Sequence, residues 1–303
     1  MFWNGVESKY PLKVCWLCGA TKGLSGDLSL CFTDVSPGAR WWHTVGRSPP
    51  PWQITPNYAR IRGFDISMII PDLLHVWNLG VARDVIRSTL KVILANPTVF
   101  NGPTVPIRLM QASASLRLFA RSNRYPLRLK RITRAKLIWK NNAYPGFSSS
   151  GYDAFVAMRW LEALLAPYTD VYKEICTLIW CANQAISLLY SADRYLSQTE
   201  RDNLDVLGST FLSTYMFLAK NAIDELKFLW RVRPKHHMMS HIFRSHRCIN
   251  QSYYSTWMDE DFLKKIGKVL GLTAVQTAQR RILERWCLSI PKNLERFVCK
   301  TTA

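Results

Sequence analysis

The sequence predicts a mostly helical protein with an irregular N-terminal knuckle and one short strand-like segment. Three observations carry that expectation. Helical spacing of apolar residues recurs from position 72 onward, helix-capping signatures open several of those runs, and two-residue alternation is confined to a single stretch.

Residues 1–60 hold turn formers rather than a period: the Cys15-Trp-Leu-Cys18 pair, Gly19, Gly23, Gly26, a Ser36-Pro37-Gly38 turn and the Pro49-Pro50-Pro51 run. From Arg62 to Ile70, Phe64, Ile66, Met68 and Ile70 alternate with Asp65 and Ser67, which predicts a half-buried strand stopped by Pro71. Asp72 to Ala95 has helical spacing. Leu73, Trp77, Val81, Val85 and Ile86 lie near one stripe and Arg83, Arg87 and Lys91 lie off it. Gly80 weakens the middle of that helix, by about 1 kcal/mol against Ala.

Farther on, Ser149 and Ser150 are placed to cap a helix through Ala166, which Pro167 ends. Thr169 and Asp170 begin an apolar helix to about Ala192, and the Ser197-Gln-Thr-Glu200 capping box opens a long helix toward Trp230. Asp259 to Leu270 is helical with Gly271 as its C-cap, and Thr273-Ala-Val-Gln276 opens a last helix carrying Arg280, Arg281 and Arg285. The expected organisation is an irregular arm at 1–60, a strand-helix segment at 61–95, a basic helical domain at 96–250 and C-terminal helices at 251–303.

The chain has 40 Lys and Arg against 21 acidic residues, a formal charge of +19 and a pI near 9.8. Such a field attracts anions, and nucleic acid is the leading expected partner. The charge is concentrated. Between 117 and 140 the chain carries Arg117, Arg121, Arg124, Arg128, Lys130, Arg131, Arg134, Lys136 and Lys140 and no acid, with Phe119, Tyr125 and Trp139 among them. Cations can neutralise phosphates there while a ring stacks on an unpaired base. The competing reading is a solvated helix face or a patch for anionic membranes.

The eight cysteines are widely spaced after Cys31, and in a chain that is 48% hydrophobic they do not describe a disulfide-stapled secreted scaffold, so reduced thiols are expected. No basic segment followed by an apolar one opens the sequence, which predicts an intracellular protein. The most apolar run, 175–190, is too short for a bilayer span and contains Asn183 and Gln184, so no membrane segment is expected.

Four constellations could carry chemistry. Cys15, Cys18, Cys31 and His43 have the ligand types of a structural Cys3His zinc site, with ordinary reduced cysteines as the alternative. Asp72 and His75 stand three apart at a helix start, where they can hydrogen-bond or share a ligand, or simply suit the helix N-terminus. Pro234-Lys-His-His-Met-Met-Ser-His241, with His246 and Cys248 following, holds four of the six histidines. It lacks the Glu of a zinc-protease helix, so a basic histidine-rich face packed near phosphate or the core is expected there. Trp257-Met-Asp-Glu-Asp261 gathers carboxylates that could hold Mg2+ or merely favour a helix N-terminus.

The order of Asp72-Leu-Leu-His75, a long basic helical stretch, Pro234-Lys-His-His-Met-Met-Ser-His241 and Trp257-Met-Asp-Glu260 resembles the CACTA-type DDE transposases, over roughly 63–270. That resemblance implies a partial RNase H-like α/β core with a helical insertion domain. It also implies Glu260 as a metal-binding catalytic carboxylate, Asp72 and His75 as the family's D-x-x-H pair, DNA as partner, a nuclear location, and scope for an oligomer. Two departures matter. Glu260 is closer to the preceding Trp than in the family, and the residues before Cys15 include no Asp for the first two catalytic positions. One acid cannot hold two metal ions. The expectation is therefore a transposase-derived DNA-binding remnant or fragment without a complete triad, with Mg2+ relevant only to an active enzyme. The alternative is a helical scaffold protein with a zinc knuckle and no nucleic-acid role.

Overall fold

A computed structural model describes residues 13–23, 28–47, 55–140, 142–244 and 248–271, with positions 277, 280, 281, 283, 284 and 287 beyond them. It divides into two compact units, 1–254 and 255–303. In the first, a π-helical segment, Leu74–Val81, runs into α1, Ala82–Ala95, followed by α2, Val105–Ser122, and α3, Gly151–Leu165. Then come α4, Lys173–Ser191, α5, Gln198–Asp224, and α6, Pro234–Phe243. The second unit holds α7, Trp257–Leu270.

The predicted caps form where the sequence places them. Ser150 accepts from the Asp153 amide while Asp153 reaches back to the Ser150 amide, and Ser197 and Glu200 do the same for α5. The apolar helix α4 starts later than expected, at Lys173, because Pro167 sits in a tight 3-10 turn and 169–172 form a further turn. The α5 helix stops at Asp224 rather than near Trp230. Leu226 takes a positive φ of 54°, and the chain doubles back to bury Trp230 edge-on to Tyr215 at 5.8 Å. The expected helix opening at Thr273-Ala-Val-Gln276 lies outside the described residues.

The expected strand at 62–70 is not one. Asp65 accepts a hydrogen bond from the Ser67 amide at 2.8 Å, which bends 66–68 into a 3-10 turn. Alternation there does not track burial, since Ile66 is buried while Met68 is exposed. Among the described residues β-pairing amounts to three isolated bridges, so no sheet forms and the partial RNase H-like α/β core is not present there. The helical part of the expectation stands.

One apolar core extends from Val14 to Phe243. At its centre α6 presses against both the π-segment and α5, and two glycines make this possible. A Cβ on Gly80 would lie 2.6 Å from Lys235 Cδ and 2.9 Å from the His75 carbonyl oxygen. A Cβ on Gly208 would lie 2.3 Å from Phe243 Cβ. The mid-helix glycine that seemed only to weaken 72–95 is thus where α6 makes close approach. Arg108 is buried and donates to the carbonyls of Leu94, Gly102 and Ala95, closing the C-terminal end of α1.

Gly208→Ala is expected to destabilise the protein by about 1–3 kcal/mol through overpacking against Phe243. Gly38→Ala, where a Cβ meets nothing within 4 Å, should stay within about 0.5 kcal/mol of wild type. Urea denaturation of the two variants checks the α5–α6 contact, and equal midpoints would remove it.

Candidate metal centre and basic surface

Residues 13–23 form a small hairpin. The Val14 amide donates to the Ala20 carbonyl at 2.9 Å, and the Leu17 amide donates to Cys15 Sγ at 3.3 Å. The Gly19 amide is held by Thr44 Oγ1 at 2.7 Å, and Trp16 Nε1 donates to the Ile69 carbonyl at 2.9 Å. These contacts fix both thiols facing inward, where Cys15 and Cys18 are buried.

They face α6. On a helix, positions 237 and 241 stand one above the other, so both imidazoles leave the same side. Cys15 Sγ lies 3.4 Å from His241 Nε2, Cys18 Sγ lies 3.3 Å from His237 Nε2, and the two Nε2 atoms are 3.1 Å apart. The four atoms all fall within 4.8 Å of one another. A tetrahedral ion with sulfur at about 2.3 Å and nitrogen at about 2.0 Å requires edges of about 3.3–3.8 Å between ligand atoms. Cys15, Cys18, His237 and His241 are therefore placed to bind a metal ion.

The electrostatics agree. Burial by itself would raise the Cys15 thiol, but hydrogen bonding with Cys18 and the nearby His241 and His237 outweigh it and hold it well below the ordinary value. Cys18 is pushed up, first by burial and then by Cys15. Two buried thiols this close resist ionising together, and a divalent ion between them would favour both thiolates. Burial also lowers His237, favouring the neutral imidazole that a metal needs, while His236 is pushed down to about 3 by burial and by Arg233. Trp41 lies edge-on to His237 at 4.3 Å and Trp42 edge-on to His241 at 5.2 Å, which keeps water from the ligands.

Two of the four expected ligands are displaced. Cys31 is half-buried beside Thr33 Oγ1 at 3.0 Å, and His43 is exposed. The reason lies in the 3-10 turn Arg40–Thr44, which directs Trp41 inward and leaves His43 on the outer side. The true second pair is the H-x-x-x-H of α6, more than two hundred residues away. Its i, i+4 spacing is the signal for it in the sequence.

Asp72 and His75 do pair, with the Asp72 carboxylate against His75 Nδ1. The same carboxylate accepts from the Leu74 amide at 3.1 Å and the His75 amide at 3.3 Å, so it caps the helix as well. Among the described residues the only group of three or more ligand-type side chains that could hold an ion is the Cys2His2 cluster. Glu260 lies on α7 of the second unit, and its side chain is outside the described residues, as is His246.

Eight of the nine basic residues from Arg117 to Lys140 are exposed and Lys136 is half-buried. Among the described residues none of the nine forms an ion pair. After α2 ends, 123–140 and 142–150 are irregular backbone, fastened by buried Leu129, Ile132 and Leu137. The Asp153 carboxylate accepts from the Arg128 and Leu129 amides, and Ser113 Oγ accepts from the Ile132 amide. Phe119, Tyr125 and Trp139 are partly buried against the core, so they anchor this segment instead of offering stacking faces. Among the described residues no helix is long and apolar enough to cross a membrane.

The metal-loaded protein is expected to carry one equivalent of ion, lost in Cys18→Ser or His237→Asn and kept in Cys31→Ser and His43→Ala, as measured by elemental analysis of purified protein. Acidification protonates the thiolates and imidazoles, so apparent affinity falls as pH drops. A competition titration against a chelator at several pH values reads that slope, and a pH-independent affinity would contradict ligation by these groups. Comparison with protein-family models, curated proteins and solved structures found no match.

Proposed function

We propose that this chain is a nucleic-acid-binding protein of transposase origin, nuclear in location, whose helical body is pinned by a structural zinc ion at Cys15, Cys18, His237 and His241. The observation that carries the reading is the row of exposed cations from Arg117 to Lys140, with no acid among them, on backbone fastened to the core. Fixed cations displace counterions from a phosphate backbone without first having to be ordered. Half-buried aromatics argue for contact with phosphates over stacking on bases. Two thiolates and two imidazoles in tetrahedral arrangement suit zinc, and a site filled by four protein ligands is structural in kind.

The role proposed is binding rather than cutting. Asp72 is engaged by two backbone amides and by His75, which leaves its carboxylate committed to the helix start. An active enzyme would need Mg2+ or Mn2+ and would lose nicking in Glu260→Ala.

A second reading, a helical interaction protein, is favoured by an open apolar cleft between α3, α4 and α5. Its lining includes Leu161, Cys176, Trp180 and Val206, with Trp180 51% and Val206 64% exposed. Preference for anionic vesicles over DNA would point to the basic surface serving membranes under that reading.

Filter binding of duplex DNA across a salt series tests the main reading. Each phosphate contact contributes about −0.9 to the slope of log affinity against log salt. Replacing Arg128, Arg131 and Arg134 with Gln should flatten that slope by about 2 to 3 and leave the urea midpoint unchanged. A wild-type slope near zero removes the proposal.

A further inference from the structure

Beyond the segment 117–140 lies a second, half-buried group of cations. It surrounds Asp84, a carboxylate with 0% side-chain exposure. Arg233 donates to Asp84 Oδ2 through Nε at 2.7 Å, and Arg87, with 11% side-chain exposure, pairs with the other carboxylate oxygen. Arg83 leaves the same face of α1 and donates to the Ser149 carbonyl, while Lys235 donates to the His75 carbonyl at 2.7 Å. Two of the four cations pair with Asp84 and the other two bond carbonyl oxygens, so the four carry three positive charges in excess of that one carboxylate. The other acid that Lys235 feels, Asp72, is committed to His75.

Such a cluster is costly, because partly buried like charges repel at reduced dielectric and lose hydration. Burial lowers Arg83, Arg87 and Lys235 from their ordinary values, and neighbouring Arg233 adds to the effect on each. Donors are also left over. Arg83 Nε, Arg87 Nε and the Ser149 hydroxyl are buried and have no hydrogen-bond partner among the described residues. Arg233, at 28% side-chain exposure, keeps the cluster open to solvent, and Lys235 lies in the first turn of α6, whose positive end adds to the field.

We infer that the cluster formed by Arg83, Arg87, Arg233 and Lys235 with Ser149 is a binding site for a phosphate group. Guanidinium forks, an ammonium and a hydroxyl together suit a tetrahedral oxyanion better than a planar carboxylate. The site deepens the nucleic-acid reading. Farther along the basic face of α1, Lys91 donates to the Lys140 carbonyl at 3.0 Å, so this face of α1 meets the end of the 117–140 segment. A phosphodiester strand crossing the exposed cations would reach the half-buried ones.

The test compares the thermal midpoint of the metal-loaded full chain in inorganic phosphate and in chloride at matched ionic strength. Wild type and the Arg128/Arg131/Arg134→Gln variant should both gain a saturable upshift in phosphate. Arg83→Gln/Lys235→Gln should bind phosphate about tenfold more weakly, having lost two charge-assisted donors. Arg83→Gln alone replaces the pair if the double variant fails to retain its metal. No phosphate-specific upshift in wild type, or the same upshift in every variant, overturns the site. A parallel DNA titration separates the sources. Weaker DNA binding by Arg83→Gln/Lys235→Gln assigns the group to a nucleic-acid backbone, and unchanged DNA binding with a lost upshift assigns it to free phosphate. A wild-type upshift without any DNA binding keeps the site and ends the nucleic-acid reading alone.

Discussion

The contact between the 15–18 hairpin and the histidines of α6 joins positions up to 226 residues apart, and nearly everything in the first unit lies between them. The ten-residue α6 is too short to hold together as an isolated helix in water. It is also buried from His236 to Phe243. Three imidazoles in that stretch must therefore find hydrogen-bond partners or an ion, or their desolvation would expel the helix. The hairpin thiols and the rings of Trp41 and Trp42 supply those surroundings for His237 and His241. His236 returns to its own helix start, accepting from the Arg233 amide at 3.1 Å. An ion held by all four ligands cross-links a loop of this size and limits the unfolded chain far more than the folded one.

The other end of α6 meets a different constraint. Asp84 has no exposure, and burial pushes its carboxyl up in spite of Arg87 and Arg233 beside it. Removing a single partner there would strand a charge in the interior, which costs about 3–5 kcal/mol. The arrangement specifies register. It fixes α6 against α1 at one rotation, and the gap over Gly80 fixes the distance.

Much of this was legible in the residues and some was not. Capping boxes at Ser150 and Ser197 are local chemistry, so the starts of α3 and α5 follow from four-residue patterns. The pattern at 62–70 misled because alternation promises a strand only where a neighbouring strand exists to pair with, and Asp65 offered the backbone a closer partner. Half of the metal site was readable, since C-x-x-C marks a hairpin that presents two thiols. The other half was readable only as two imidazoles on one helix face, because their pairing with 15–18 is set by how α6 is buried, and the distance along the chain does not show which ligands meet. Cys31 and His43 had the right chemistry at a plausible distance, but His43 shares its turn with Trp41, which takes the inward position. The basic segment was recognisable by composition, whereas its backbone was not. Leu129, Ile132 and Leu137 have a spacing that one helix face could also bury, but positive φ at Arg124 and Ile138 and capture of backbone amides by Asp153 and Ser113 hold the segment in an irregular course.

Both ends of α6 belong to one rigid body of ten residues, and that links the two sites energetically. Phe243 packs against Gly208 with no room for a methyl group, so the helix cannot slide along α5. Lys235 sits against Gly80 under the same restriction. A short helix held this way moves as a unit or unfolds as a unit. An ion at His237 and His241 would therefore hold Arg233 and Lys235 in position, and an anion at the proposed site would hold the ligand geometry in return. The reciprocity is required thermodynamically, because each ligand favours the same docked state of α6 over its undocked state.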